Sequence, residues 1–177
     1  MLRPEPGEYP TNYLEYIKLL PDGDIVEIME RQGVETHEFF GNFSEKNSTF
    51  RYDPDKWCIK EIFMHLIDTE RVFAYRALRI SRGDTTPLPS FNQDEFVKNC
   101  NVMQRLISDL CAEYQSVRNA SLTLFRSLDE EMAMCIGTVS GYLMTVRTIP
   151  CIISGHEIHH IRFIREKFLK LPSKKER

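Results

Sequence analysis

A chain of 177 residues, 42% hydrophobic and 28% charged, is long enough to bury one sizeable core and has the usual balance of a soluble globular protein. Its formal net charge of −3, with no long basic block, excludes the basic face that nucleic-acid binding requires. No apolar run approaches the ~20 residues that span a bilayer, so a membrane is not an expected partner either.

Residues 1–22 are rich in Pro and Tyr and predict an extended lead-in laid over the body. Met1 to Pro10 contains prolines and glutamates but no apolar stretch, so no signal peptide is expected there. The first helix should start after Asp22 or Asp24, either of which can cap it. Ile25, Ile28, Met29, Gln32, Phe39, Phe40 and Phe43 then recur at about helical spacing, with Gly33 weakening the helix without ending it. Residues 42–56 are polar and close on Asp53-Pro54-Asp55, a turn signature.

A second long helix is predicted from about Trp57 to Arg82, stopped by Gly83. Residues 83–92, with Pro87 and Pro89, must form a loop. A short helix near Gln93–Lys98 follows, and Asn101 is placed to cap a third long helix reaching about Leu128. Gly137, Ser140 and Gly141 interrupt any helix over 129–145, which reads as a long connection; strand signals are nearly absent. The last helix runs from about Thr148 to Leu169, with Pro150 in its first turn, where a missing N–H is harmless. A short basic tail follows, expected to be flexible over 171–177. Four long helices in one 1–177 domain predict an all-α four-helix bundle.

Five cysteines, Cys58, Cys100, Cys111, Cys135 and Cys151, are scattered without a C-x-x-C pair. That pattern argues against a disulfide framework and against a thiolate zinc knuckle. Reduced, mostly buried thiols and a cytoplasmic location are the expectation.

The histidines carry the chemistry. His156 and His160 are four residues apart, so they stack on one face of the last helix and can aim two imidazoles at one ion. The stripe Ile149, Ile152, Ile153, His156, His160, Phe163 and Ile164 is otherwise apolar, and an unpartnered imidazole there would cost free energy. The partner is either a metal ion or a set of buried hydrogen bonds. His65, flanked at helical spacing by Ile62, Thr69 and Val72, points a third imidazole inward from the second helix. Asp68 lies on nearly the same face and could hold the second ring nitrogen of His65; the alternative is a solvated charge beside Arg71. His159, about 100° round the helix from its neighbours, belongs to the periphery of the site or the surface, and His37 to the surface. Three imidazoles would leave coordination positions open, as reactive rather than structural sites do.

His156-Glu157-Ile158-His159-His160 also satisfies H-E-x-x-H, the zinc-protease pattern. No further histidine follows to complete that ligand set, and Glu157 falls beside the apolar stripe, where it can simply be exposed.

In several blocks the chain resembles the DinB-like (YfiT-like) superfamily of metal-dependent enzymes. These are Tyr52-Asp-Pro-Asp-Lys-Trp57, Lys60-Glu61, His65-Leu-Ile-Asp-Thr-Glu-Arg71, Phe73-Ala-Tyr-Arg-Ala-Leu-Arg79, Gly83-Asp-Thr-Thr-Pro87, and Gly155-His-Glu-Ile-His-His160 with Arg162. The resemblance implies an up-down-down-up bundle and a histidine triad that maps onto His65, His156 and His160. It further implies a divalent ion, zinc or nickel, a homodimer, a small-molecule substrate and, in several relatives, a low-molecular-weight thiol of the bacillithiol or mycothiol type. Cys58 stands where relatives have Ser or Thr, which should weaken the capping box with Glu61. Pro150 departs from the usual pattern and suggests a slightly later start of the last helix.

The leading functional expectation is thus a metal-dependent thiol S-transferase, with Asp68 or Glu157 relaying protons. A metal-dependent hydrolase and a non-catalytic, dimeric, stress-linked metal-binding protein are the alternatives. Residues 83–92 and 129–145 are the segments expected to roof a pocket. Arg71, Arg76, Arg79 and Arg82 either greet an anionic cofactor or form a solvated helix face.

Overall fold

A computed structural model of the chain describes residues 1–169; the tail expected at 171–177 lies outside them. The N-terminal segment is more than an extended strap. After a 3-10 turn at Thr11–Tyr13 it forms α1 (Leu14–Ile17), which packs on the last helix. This close approach is possible because of Gly155: a Cβ there would sit 2.2 Å from the Tyr16 carbonyl oxygen. Glu8 pins the segment further, accepting bonds from Thr145 Oγ1 (2.8 Å) and Arg147 Nε (2.7 Å).

The first long helix, α2 (Ile25–Gly41), is capped as expected by Asp24, whose Oδ1 accepts from Val26 N at 2.8 Å and Glu27 N at 3.3 Å. A single turn, α3 (Glu45–Ser48), precedes α4 (Ile59–Ser81). The carboxylate half of the α4 capping box survives the cysteine, because Cys58 N donates to Glu61 Oε2 at 2.7 Å. Then come α5 (Gln93–Asn99) and α6 (Ile107–Arg126). Asn101 does not cap α6. It adopts φ +53° and leads into a 3-10 turn at Val102–Gln104, and the helix starts later, where Glu45 Oε1 accepts from Ile107 N at 2.8 Å. A carboxylate distant in sequence has taken over the capping role.

The connection after α6 is more ordered than its composition suggested. It contains α7 (Glu130–Met134) and an antiparallel hairpin, β1 (Ile136–Val139) with β2 (Tyr142–Thr145), in which Val139 pairs with Tyr142. Ser140 (φ +53°) and Gly141 (φ +86°) make the two-residue turn, a backbone with both central φ angles positive. The preceding loop docks on the hairpin through Leu88 N to Thr138 O (2.8 Å) and Ser140 N to Leu88 O (2.9 Å). The last helix, α8 (Thr148–Ile164), begins at Thr148 with Pro150 in its first turn and ends in a π-helical turn over Arg165–Leu169.

Pairing fixes helix direction. Lys60 at the start of α4 donates to Arg105 O just before α6, and Glu70 meets Arg118 further along both, so α4 and α6 run parallel. Arg126 at the end of α6 pairs with Glu30 near the start of α2, making those two antiparallel. Gln32 bonds Ser154 O and Thr36 bonds Glu157, so α2 and α8 run parallel. The bundle is therefore up-down-down-up. Among the described residues no helix is long and apolar enough to cross a membrane.

At its centre lies a buried charge cluster. Arg118, 0% exposed, donates to Glu70 from Nε (3.0 Å) and Nη2 (2.9 Å), to Glu157 Oε2 (2.7 Å) and to Met29 O (2.9 Å). Tyr114 OH and Thr36 Oγ1 donate to the two oxygens of Glu157 at 2.7 and 2.8 Å. Every long helix contributes. Replacing Arg118 with Met leaves two buried carboxylates without their cation, so we expect a loss of about 3–5 kcal/mol in urea unfolding. A loss below about 1 kcal/mol would show that the cluster contributes little.

Candidate metal centre

α4 and α8 run antiparallel through the core, and their facing surfaces bring His65 against His156 and His160. The Nε2 atom of His156 lies 3.0 Å from Nε2 of His65 and 2.9 Å from Nε2 of His160. One ligand nitrogen from each ring lies within 4.8 Å of the other two. His65 and His156 are buried and His160 is half-buried.

Hydrogen bonding alone cannot satisfy this arrangement. An imidazole nitrogen offers either one N–H or one lone pair. If His156 Nε2 donates to one neighbour, it has no lone pair left for the other; if it accepts from one, it faces the other without a proton to give. One of the two contacts therefore stays unmatched. A cation meets all three lone pairs at once. Tetrahedral bonds of about 2.0–2.1 Å put ligand nitrogens roughly 3.3 Å apart, close to the spacing here. The residues present thus fit a divalent ion.

Protonation state agrees. Burial holds His65 down to about 4, against a small opposing pull from Asp94. Burial, then the neighbouring imidazoles, hold His160 down to about 3 and His156 well below the usual imidazole range. At neutral pH the rings are uncharged, the form that ligates metals. Thr69 Oγ1 lies 3.4 Å from His65 Nδ1 and can accept its proton, leaving Nε2 bare towards the cluster.

The residues proposed to support the site divide sharply. Asp68 does not reach His65: its carboxylate lies 3.5 Å from Arg71, and Thr69 occupies the position expected of it. Glu157 is neither exposed nor near the imidazole cluster's reactive side. It is 2% exposed and all its bonds run to Thr36, Tyr114 and Arg118, so no proton relay passes through it. One residue along a helix is a 100° rotation, which turns Glu157 away while His156 faces the cluster. His159 is exposed and packs edge-on against Tyr16, with ring centroids 5.4 Å apart; His37 is half-buried rather than on the surface.

Two cavities border the histidines. One of about 250 Å³ lies against His65 and His156, between Tyr13, Tyr16, Phe73, Phe91 and Arg76. The other, about 300 Å³, reaches His160 between Trp57, Tyr52 and Asp94. Gln93 borders both. The loop over 83–92 and the hairpin do wall the first cavity, through Ser90, Phe91 and Ser140, but they do not seal it. Of Arg71, Arg76, Arg79 and Arg82, only Arg76 lines it; Arg71 pairs with Glu113 and Arg79 with Asp84. Tyr13 and Tyr16 were missed because a Pro- and Tyr-rich lead-in carries no helical period; two tyrosines three residues apart were the available signal.

The sequence pattern of the DinB superfamily matches residues 28–164. The chain belongs to the DinB superfamily. That match spans α2 to α8 and includes all three histidines, while the Tyr13 and Tyr16 wall lies outside it. Among solved structures, this DinB-superfamily chain is similar to YfiT from Bacillus subtilis, described as a probable metal-dependent hydrolase with an unusual four-helix bundle topology. The TM-score is 0.67 at 15% identity, over 93% of this chain and 90% of that one. No curated protein sequence matches the chain.

The depressed imidazoles have a consequence for the metal-free protein. Their folded values lie below the unfolded 6.5, so the unfolded chain takes up protons first as pH falls. The stability they contribute is complete above pH 6.5 and drains away towards pH 4 and 3. Between pH 6.5 and 5 the midpoint of thermal unfolding of the metal-free protein should fall, before carboxylates protonate. A His65→Asn/His160→Asn variant should show a flatter profile; an equal slope in both would refute the assignment.

Proposed function

We propose that the chain is a metal-dependent enzyme in which His65, His156 and His160 hold a divalent ion, zinc or nickel, and that it transfers a low-molecular-weight thiol to an electrophile. The observation that carries the metal reading is the convergence of three neutral imidazole nitrogens, which no hydrogen-bond pattern can satisfy. When bound by neutral ligands, such an ion keeps its full charge and makes a coordinated thiol or water more acidic.

Two cavities reaching one histidine cluster favour the transfer reading over hydrolysis. A reaction between two organic molecules needs two approaches, whereas water needs no shaped cavity. The chain's own residues would do the rest. Thr69 orients His65, Tyr16 packs edge-on against His156 at 5.4 Å, and Trp57 lies 5.0 Å from His65, so the rings are held and bulk water is restricted. Hydrolysis stays as the second reading, on the description of YfiT.

Elemental analysis of untagged protein should find about one divalent ion per chain, lost in His156→Ala/His160→Ala. No metal after incubation with zinc and nickel would end the metal reading. In cobalt-substituted protein, an added small thiol should shift the visible spectrum and react with an alkylating electrophile at a catalysed rate. An unchanged spectrum, with turnover of an activated ester instead, would replace transfer with hydrolysis.

A further inference from the structure

The cavity beside His65 and His156 contains one formally charged group, Arg76, and its situation is unusual. The residue is 3% exposed, yet no carboxylate among the described residues lies within ion-pairing distance of it. Arg118, the other deeply buried arginine, has two. A buried guanidinium without a counter-charge is costly, since its attraction to an anion is what offsets lost hydration.

What surrounds Arg76 offsets only part of that cost. Its Nη2 donates to Pro89 O at 2.7 Å and to Ser140 Oγ at 3.3 Å. Its central carbon lies 4.9 Å from the Phe73 ring centroid and 5.7 Å from that of Phe91. A guanidinium has five N–H donors. The three on Nε and Nη1 have no hydrogen-bond partner among the described residues, and Arg76 lines the cavity. Burial lowers the pKa of Arg76, but an arginine stays charged throughout the physiological range. The loop carbonyl and the hairpin hydroxyl hold the side chain in place through Nη2.

We propose that Arg76 is an anion subsite, and that the molecule filling this cavity is a small carboxylate with a flat apolar body. The carboxylate meets the free donors of Arg76, the body lies between Tyr13, Phe73 and Phe91, and the far end reaches His65 and His156. This deepens the enzymatic reading by naming the class of one reactant, and it rests on that reading for the chemistry at the histidines. The anion subsite itself does not depend on the metal.

The test uses benzoate and its neutral isostere benzamide, titrated by calorimetry into zinc-loaded protein and into the same protein stripped of metal. Wild type should prefer benzoate by about tenfold or more in both forms, and Arg76→Gln should bring the two ligands within about twofold. Equal binding of the two ligands by wild type overturns the proposal. So does a preference that survives Arg76→Gln but vanishes when zinc is removed, which would put the carboxylate on the metal. If the variant does not fold, nuclear Overhauser contacts decide: benzoate ring protons near Phe73 and Phe91 in the stripped wild type support the subsite, and their absence overturns it. A chain that takes up no zinc yet keeps the benzoate preference would sink the metal reading and leave the subsite standing.

Discussion

The buried guanidinium of Arg118 is the interaction on which the arrangement of the bundle depends. It reaches Glu70 on α4, Glu157 on α8 and the Met29 carbonyl on α2 from its own place on α6. A buried ion cluster is weak evidence for extra stability, because apolar residues of the same volume can do as well. Its contribution here is register. Glu157 is the immediate neighbour of His156, and Glu70 lies five residues beyond His65. Once both carboxylates converge on Arg118, α4 and α8 can slide past each other only by breaking a buried pair, and the three imidazoles keep their spacing. Burial raises the Glu157 pKa, with Arg118 pulling the other way, and Tyr114 and Thr36 supply the two hydrogen bonds that let the carboxyl remain in the core.

The same geometry explains why an H-E-x-x-H spacing here does not describe a protease. In that pattern the glutamate works beside the metal. On α8 the histidines of the motif face the cavities, while Glu157 is turned about 100° away from His156 and is committed to Arg118. Its hydrogen-bonding capacity is consumed by structure. The motif records one helix serving two interiors, a polar lock on one side and a cluster of bare imidazoles on the other.

Long elements were legible in the sequence wherever one side chain pattern decided them. α2 starts at Asp24 because that carboxylate caps it, and α4 falls within two residues of its expected bounds. The inward histidines were legible too, since polar residues interrupted apolar stripes. What was not legible depended on partners distant in the chain. The start of α6 is set by Glu45, some sixty residues earlier, and not by the nearby Asn101. The hairpin at 136–145 is short, and it gains its order by lying on α4, where Gly137 leaves space for Ile80. Its Ser140-Gly141 turn was the local clue. Asp68 and Glu157 share the difficulty that helical spacing gives a direction only to within a face: Asp68 is drawn to Arg71 three residues on, and Glu157 to Arg118 on a different helix.

The lead-in is the element whose role changed most between sequence and structure. An extended strap could have been removed from the site without effect. Instead, α1 presses its backbone against Gly155, and this places the Tyr16 ring against His156 and the Tyr13 ring against Phe73. One wall of the 250 Å³ cavity is thus built from residues outside the part of the chain that matches the superfamily pattern. The histidines belong to the shared bundle, whereas Tyr13 and Tyr16 are added from the N-terminal segment and Phe91 from the loop before α5. Binding specificity resides in such connections, because loops and termini can change shape without disturbing a core that must keep its register. In this chain the bundle supplies the histidine cluster, and the segments folded over it supply much of the wall of the cavity that reaches it.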